Sequence, residues 1–203
     1  MPYKNLQEGR EKTLARLKKY KKVGLKFINR YKKFYGCKFC GEKNPICLDF
    51  HHISKKNKRS FKLLRKYPLK HIKEEIKKCI ILCRNCHNKL HYEERDIDYE
   101  LKIGELEKKL SFSTSIKERD NLRNRIRRTK KAAYINSLKS KNKCKICGEK
   151  NIGCLLFHHL DPLKKRISIE YLPTHFGIKT IKEELKKCIV LCQNCHTKLH
   201  NKK

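Results

Sequence analysis

The sequence predicts an α+β protein made of two small, related domains, and three observations support this prediction. The first is an internal duplication, in which residues 72–91 align with 181–200 at 16 identical positions out of 20. The second is that each copy contains two Cys-x-x-Cys pairs and four histidines in the same order. The third is that short strand-like apolar runs alternate with segments whose apolar residues recur at helical spacing. Together these observations indicate two similar folding units in one chain.

The composition points to an anionic partner. The chain has 54 lysines and arginines against 20 acidic residues, a net charge of +34. Such a charge predicts salt-sensitive binding to polyanions, with nucleic acid first and acidic membrane second. No apolar run approaches the ~20 residues of a spanning helix, and the N-terminus lacks the apolar core of a secretory signal. We therefore expect an intracellular protein without membrane association, in which paired cysteines bind metal and do not form disulfides.

Four segments are predicted along the chain: a basic helical arm (1–34), a first domain (35–95), a basic helical linker (96–140) and a second domain (141–203). Apolar residues recur at helical spacing in the arm, which we expect to end near Gly36. Two interpretations of the arm stay open. It is a solvated basic face packed on the first domain, a segment that contacts phosphates, or both.

In the first domain, Gly41 follows the first cysteine pair and supplies the open backbone of a tight ligand turn. The run 47–53 predicts a short strand, 54–70 a basic loop, 69–78 a helix and 79–82 a second strand. A second ligand turn at 83–86 and a helix through His91 complete the domain. The second copy repeats this order from Cys144 to His200.

The linker is predicted to contain two helices. Apolar spacing indicates the first over 99–110, and Ser115 with Glu118 has the spacing of a capping box that would begin the second. The second helix runs to about Leu138, and its end aligns with the end of the N-terminal arm. The repeat therefore includes an upstream basic helix. Candidate nucleic-acid-binding residues on it are Arg123, Arg125, Arg127, Arg128, Lys130 and Lys131.

Two sets of four cysteines predict structural zinc sites. Four thiolates suit the tetrahedral geometry of Zn²⁺ and leave no position open for a substrate. A unit of about 60 residues has a core worth only ~3–5 kcal/mol, and zinc binding of ~10–16 kcal/mol supplies the missing stability. The ligands are Cys37, Cys40, Cys83 and Cys86 in the first copy, and Cys144, Cys147, Cys192 and Cys195 in the second.

Four further cysteines, Cys47, Cys79, Cys154 and Cys188, lie in apolar, strand-like surroundings. They are expected to be small buried hydrophobic residues, with auxiliary metal ligation as the alternative.

The histidines have the spacing of a reactive site. His87 and His91 are four residues apart on a predicted helix and therefore share a face, as do their equivalents in the second copy. Neighbouring strand residues point to opposite sides, so only one of His51 and His52 can face the same metal as the helix histidines. The other is free to move a proton. Phosphodiester hydrolysis requires this division between a metal and a base, and histidine suits the base at neutral pH.

The order Cys-x-x-Cys, strand His-His, and Leu-Cys-x-Asn-Cys-His-x-x-x-His resembles the HNH endonucleases of the ββα-metal class, in the type stiffened by a four-cysteine zinc. The resemblance covers about 37–91 and 144–200. It implies two ββα-metal domains that cut DNA, each with a divalent ion such as Mg²⁺ or Mn²⁺. It assigns His52 and His159 as general bases. The implied ligands of the catalytic ion are His51, His87 and His91, and in the second copy His158, His196 and His200.

The resemblance fails at one position in each copy. The family has an asparagine near Cys79 and Cys188 that braces the loop holding the base, and a thiol is a poor hydrogen-bond partner. Asn85 and Asn194 are expected to be turn or helix-cap residues, the alternative being substitutes for that asparagine. His71 and His175 have no counterpart in the other copy and are assigned no role.

The sequence thus predicts a metal-dependent DNA endonuclease with a site in each copy. As a monomer it could cut both strands, or one site could serve only to position the DNA. Two alternatives stay open: a zinc-stabilised nucleic-acid-binding protein without catalysis, and a nuclease that acts on RNA.

Overall fold

The computed structural model describes residues 2–54, 56–93, 98–165, 167 and 171–201. The described residues form helices and two small antiparallel sheets of two strands each, which confirms the predicted mixture of α and β structure. The chain divides into two compact units, residues 1–87 and 88–203.

The first unit begins with one long helix, α1 (Pro2–Tyr35), which ends at Gly36 as the apolar spacing predicts. The elements that follow are a 3-10 turn (Pro45–Cys47), β1 (Leu48–His52), α2 (Phe61–Leu64), α3 (Leu69–Ile76), β2 (Cys79–Cys83) and α4 (Arg84–Glu93), in which the division between the units falls.

The loop predicted over 54–70 contains the short helix α2, which the sequence analysis did not predict. Phe61 at the start of α2 stacks on Phe50 of β1, with ring centroids 4.4 Å apart. This is a tertiary contact that local sequence patterns do not reveal.

The first core joins α1 to α2 and α3. Ile28 of α1 packs with Leu64, Ile72 and Ile76, all of them almost completely buried. Gly24 allows this close approach, because a Cβ added there would lie 2.9 Å from Cδ1 of Ile72. The N-terminal helix therefore packs on the first domain, as the first of the two interpretations of the arm expects.

After the end of α4, the second unit contains the linker helices α5 (Tyr99–Phe112) and α6 (Ile116–Ser140). They pack through Leu106, Leu122 and Ile126. Half of the predicted capping box is present. Ser115 is the N-cap and accepts a hydrogen bond from the backbone N–H of Glu118, but the Glu118 carboxylate accepts one from Ser113 Oγ at 2.8 Å.

The second copy repeats the architecture of the first. Its elements are β3 (Leu155–His159), α7 (Leu172–His175), α8 (Ile178–Leu185), β4 (Cys188–Cys192) and α9 (Gln193–His200), with 3-10 turns at Ile152–Cys154 and Pro162–Lys164. Ile135 near the end of α6 packs on Ile181 and Leu185 of α8, as Ile28 of α1 packs on α3 in the first copy.

The two sheets have the same register. His51 lies opposite Ile80 and His52 opposite Cys79, while His158 lies opposite Ile189 and His159 opposite Cys188. Each histidine pair thus ends a strand, and its two members lie on opposite faces of the sheet.

Candidate metal centres and a buried histidine–glutamate pair

Each four-cysteine group is assembled from a tight turn and a strand-to-helix junction. In the first copy, Gly41 has a φ of 73° and its N–H donates to the Cys37 carbonyl at 2.9 Å, which closes the turn. The N–H of Lys38 donates to the Ile81 carbonyl at 2.9 Å and ties this turn to β2. The turn of the second copy is built in the same way by Gly148, Cys144, Lys145 and Val190.

The second cysteine pair lies where the strand meets the helix. Cys192 ends β4 and is the N-cap of α9, where its sulfur accepts a hydrogen bond from the N–H of Cys195. Asn194 lies inside the first turn of α9, whose cap is Cys192, so of the two expected roles, turn residue or helix cap, it does not have the second. Asn85 likewise lies within α4.

The geometry of both groups fits zinc. In each group the four sulfur atoms lie within 4.8 Å of one another. Cys40 and Cys83 have their sulfurs 3.5 Å apart, and Cys147 and Cys192 have theirs 3.6 Å apart. Tetrahedral Zn²⁺ with bonds of ~2.3 Å places its sulfur ligands about 3.8 Å apart. The predicted structural zinc sites are therefore compatible with the positions of all eight cysteines.

In each group, backbone hydrogen bonds lower the pKa of one thiol, whereas burial raises the pKa of two others. Burial raises the pKa of Cys37, but hydrogen bonds from the backbone of Cys83, Cys40 and Phe39 outweigh it and lower this pKa to about 7. Burial and the neighbouring thiols raise the pKa of Cys86. In the second copy, the pKa of Cys144 is likewise lowered to about 7 and that of Cys195 is likewise raised. Because like charges this close oppose one another, all four thiols ionise together only with a cation among them.

A group of three histidines lies near each four-cysteine group, since His87 follows Cys86 and His196 follows Cys195. His51 of β1 meets His87 and His91 of α4, and one ring nitrogen from each lies within 4.8 Å of the others. His158, His196 and His200 form the same group in the second copy, where the Nε2 atoms of His196 and His200 are 3.2 Å apart. Imidazoles on one tetrahedral ion with bonds of ~2.05 Å lie about 3.3 Å apart. The six histidines predicted to be ligands are thus brought together as two sets of three.

The second histidine of each strand lies elsewhere. The Nε2 of His52 is 2.7 Å from Oε1 of Glu75 on α3, and the Nε2 of His159 is 2.8 Å from Oε1 of Glu184 on α8. Both glutamate side chains are only 2% exposed. The two neighbouring histidines of each strand therefore have different partners. The first lies with the two helix histidines, and the second contacts a buried carboxylate.

Glu75 accepts hydrogen bonds from three sides. Its Oε1 accepts from the N–H of Arg59 at 2.7 Å, and its Oε2 accepts from Nζ of Lys78 at 3.0 Å. Burial raises the pKa of Glu75, but the hydrogen bonds from Arg59, Lys78 and His52 outweigh it and lower this pKa to about 2. In the second copy, Nζ of Lys187 donates to Oε2 of Glu184 at 2.7 Å.

These two glutamates were not among the predicted site residues, although the sequence contains a signal for Glu75. It is three residues after Ile72 and one before Ile76, so it falls on the apolar face of an amphipathic helix. Glu184 has the same place between Ile181 and Leu185. A carboxylate on such a face, in both copies, indicates a specific buried partner.

The remaining cysteines lie outside the groups of metal ligands found among the described residues. Cys47 and Cys154 are completely buried in the cores, as small hydrophobic residues are expected to be. Cys79 and Cys188 donate hydrogen bonds at 3.4 Å to the backbone carbonyls of Glu75 and Glu184. Burial and the charge of Glu75 raise the pKa of Cys79 to about 11, so it stays a neutral thiol.

The basic residues predicted on α6 are only partly engaged with neighbours. Arg123 forms an ion pair with Asp120 at 3.1 Å, and Lys130 one with Glu107 at 2.8 Å. Arg125 and Arg128 are exposed and lie three residues apart, on the same side of the helix. Arg127 donates to Asn124, and Lys131 is half-buried.

No protein-family model matches the chain, and no curated protein or solved structure matches it either. Among the residues that the structure describes, no helix has both the length and the apolar character needed to cross a membrane.

Proposed function

We propose that this protein is a divalent-metal-dependent DNA endonuclease of the HNH type, with a phosphodiester-hydrolysing site in each of its two copies. The observation that supports this best is the separation of the strand histidines. His51 lies with His87 and His91, whereas the adjacent His52 lies against buried Glu75. One proposed ligand and the proposed base are thus neighbouring residues of the same strand that face different partners. The same arrangement recurs in the second copy.

In the first copy, His51, His87 and His91 would hold the divalent ion. A bound ion would neutralise charge on the phosphate and on the leaving oxygen. His52 is the base that takes a proton from the attacking water. Its contact with Glu75 holds the ring in place, since that carboxylate is itself fixed by two other donors. His158, His196 and His200 would hold the ion in the second copy, where His159 is the base.

The zinc sites have a structural role in this proposal. Each joins the turn after a long basic helix to the junction between a strand and the helix that carries two histidines. Zinc bound to Cys37, Cys40, Cys83 and Cys86, and to the matching second set, would stabilise this junction. Thiolate ligands fit the reducing intracellular compartment that we propose for the protein.

DNA is the proposed substrate because the chain carries a net charge of +34 and exposed arginines on α6. These groups would bind the phosphate backbone and give a strong dependence on salt. Because two sites lie in one chain, a monomer could cut both strands, or one site could serve only to position the DNA.

The proposal is tested by nicking of supercoiled plasmid in Mg²⁺ or Mn²⁺. We expect His52→Ala and His159→Ala each to retain part of the activity, and the double variant to lose it by about 10²–10⁴-fold, the usual contribution of a positioned base. Binding of the plasmid, measured by filter retention, should change less than about twofold, since neither imidazole carries the phosphate contacts. His71→Ala is a matched control, because His71 lies outside both groups of ligands.

Two outcomes would reject this assignment. Persistent nicking in the double variant would exclude the two histidines as bases. Tight, salt-sensitive binding of DNA without cleavage in any divalent ion would instead favour the non-catalytic binding protein. Faster cleavage of RNA than of DNA in the same assay would move the substrate to RNA.

A further inference from the structure

The buried glutamates have a chemical consequence that goes beyond the choice of base. Glu75 is 2% exposed, and burying a carboxylate is unfavourable unless hydrogen bonds replace its water. Ile72 and Ile76 on either side of it are in the core, where an apolar residue would pack without that penalty. Nonetheless, both copies have a glutamate here, and both glutamates contact the strand histidine. Packing alone does not explain this choice of residue.

The contact determines which nitrogen of the imidazole carries the proton. Glu75 already accepts hydrogen bonds from the backbone N–H of Arg59 and from Lys78, and an ionised carboxylate has no proton to donate. The Nε2 of His52, at 2.7 Å, must therefore be the donor. A neutral imidazole has only one N–H, which leaves Nδ1 as its acceptor.

We propose that Glu75 and Glu184 are positioning residues that hold His52 and His159 in the tautomer protonated at Nε2, so that Nδ1 is the atom that takes the proton from water. This inference rests on the proposed function. Each carboxylate fixes both the orientation of the ring and the identity of its basic atom. Lys78 and Lys187 donate to the outer carboxylate oxygens and keep the pairs charge-balanced.

Glu75 also connects the base to the loop beside it. Through Oε1 it accepts from the N–H of Arg59, which follows the strand by seven residues. Its backbone carbonyl accepts from the Cys79 thiol at the start of β2. One residue of α3 thus contacts β1, the following loop and β2, and it can carry out the bracing for which the cysteine itself is poorly suited.

The test replaces Glu75 by glutamine in a chain that also carries His159→Ala, so that only the first copy cleaves. Glutamine keeps the size of the side chain but has only one acceptor atom and no charge. It therefore cannot accept from Arg59, Lys78 and Nε2 of His52 together, and the preference for the tautomer protonated at Nε2 is lost. We expect kcat for plasmid nicking to fall on the order of 10³-fold with KM nearly unchanged, because a base in the wrong tautomer loses most of its effect. Glu74→Gln in the same background is the matched control, since Glu74 is 64% exposed and next in sequence.

The tautomer is read independently of activity from the ¹H–¹⁵N correlations of the His52 imidazole in ¹⁵N-labelled protein. We expect protonated Nε2 in the H159A chain and a shift toward protonated Nδ1 in H159A/E75Q. A proton on Nδ1 in the H159A chain would overturn the proposal, as would loss of activity in H159A/E75Q with an unchanged tautomer. If H159A/E75Q does not fold, the H159A spectrum alone still decides the tautomer.

The two readouts also separate this inference from the proposed function. If the protein never cleaves nucleic acid but shows protonated Nε2, the proposed endonuclease activity is rejected, and the contribution of Glu75 to it, whereas the assignment of the tautomer stands. If the Glu75→Gln variant cleaves normally, the proposed endonuclease activity stands and the positioning role of Glu75 is rejected.

Discussion

Nε2 of His52 and Oε1 of Glu75 lie 2.7 Å apart, although these residues are 23 positions apart in the chain. The contact joins β1 to α3, whereas the neighbouring His51 joins β1 to α4 through the ligand group. The candidate site is therefore assembled from β1, α3 and α4. The four cysteines proposed to bind zinc are different side chains from those of the candidate site. Variants can consequently test scaffold and site one at a time.

Loss of one zinc ligand should remove zinc from one copy and leave zinc bound in the other. We expect Cys40→Ser to reduce bound zinc by one ion per chain in native mass spectrometry. We also expect it to unfold much of the first copy, because zinc binding contributes ~10–16 kcal/mol in domains of this size. Far-UV circular dichroism would report that loss of structure. Cys47→Ala is the control, since Cys47 is buried outside the ligand group. Loss of zinc from that variant as well would indicate auxiliary ligation.

Substitution in the histidine group should weaken the second kind of metal site without removing zinc. His196 and His200 have their Nε2 atoms 3.2 Å apart, so each can contribute a ligand to the same ion. We expect His196→Ala to reduce the affinity for Mn²⁺ at the second copy by at least tenfold, measured by titration calorimetry, with zinc content unchanged. His175→Ala should bind Mn²⁺ as the unmodified protein does. Equal affinity in both variants would contradict the ligand assignment.

The exposed arginines of α6 should determine part of the salt dependence of DNA binding. Replacing Arg125 and Arg128 together by alanine removes two candidate phosphate contacts. The slope of log K against log salt concentration should then fall by about 2. The control is the double variant of Lys102 and Lys109, exposed residues of α5 whose replacement removes the same charge. If both double variants change the slope equally, total charge and not α6 controls binding.

Two glycines of α1 should respond oppositely to substitution by alanine. A Cβ at Gly24 would lie 2.9 Å from Cδ1 of Ile72, whereas one at Gly9 would meet no atom within 4 Å. We expect Gly24→Ala to lower the free energy of unfolding by about 1 kcal/mol through overpacking. Gly9→Ala should raise it by up to ~1 kcal/mol, because alanine is the better helix former. Urea unfolding with zinc present measures both. A similar increase in the two variants would show that α1 does not pack on α3 through Gly24.

Most of the local structure could be predicted from the sequence, because each element has a pattern of its own. Helices α3 and α5 were visible in apolar spacing, and Ser115 was identified as the start of α6. The short helix α2 was not predicted, since its four residues lie in a basic segment and depend on the stacking of Phe61 on Phe50. Asn194 was expected to be a turn or helix-cap residue, and it lies in the first turn of α9 because a cysteine sulfur fills the cap position.

The sequence by itself determined the duplication, the two sets of four cysteines and the separation of each histidine pair. Spacing in the chain fixes these features, since alternate strand residues face opposite sides and residues four apart share a helix face. Only the tertiary structure decided what the second histidine of each pair contacts. Glu75 reaches His52, and Glu184 reaches His159, because the cores that bury α3 and α8 also include Phe50 of β1 and Phe157 of β3, which places the carboxylates beside the strands. No local pattern specifies such a contact, because it depends on how separate elements pack.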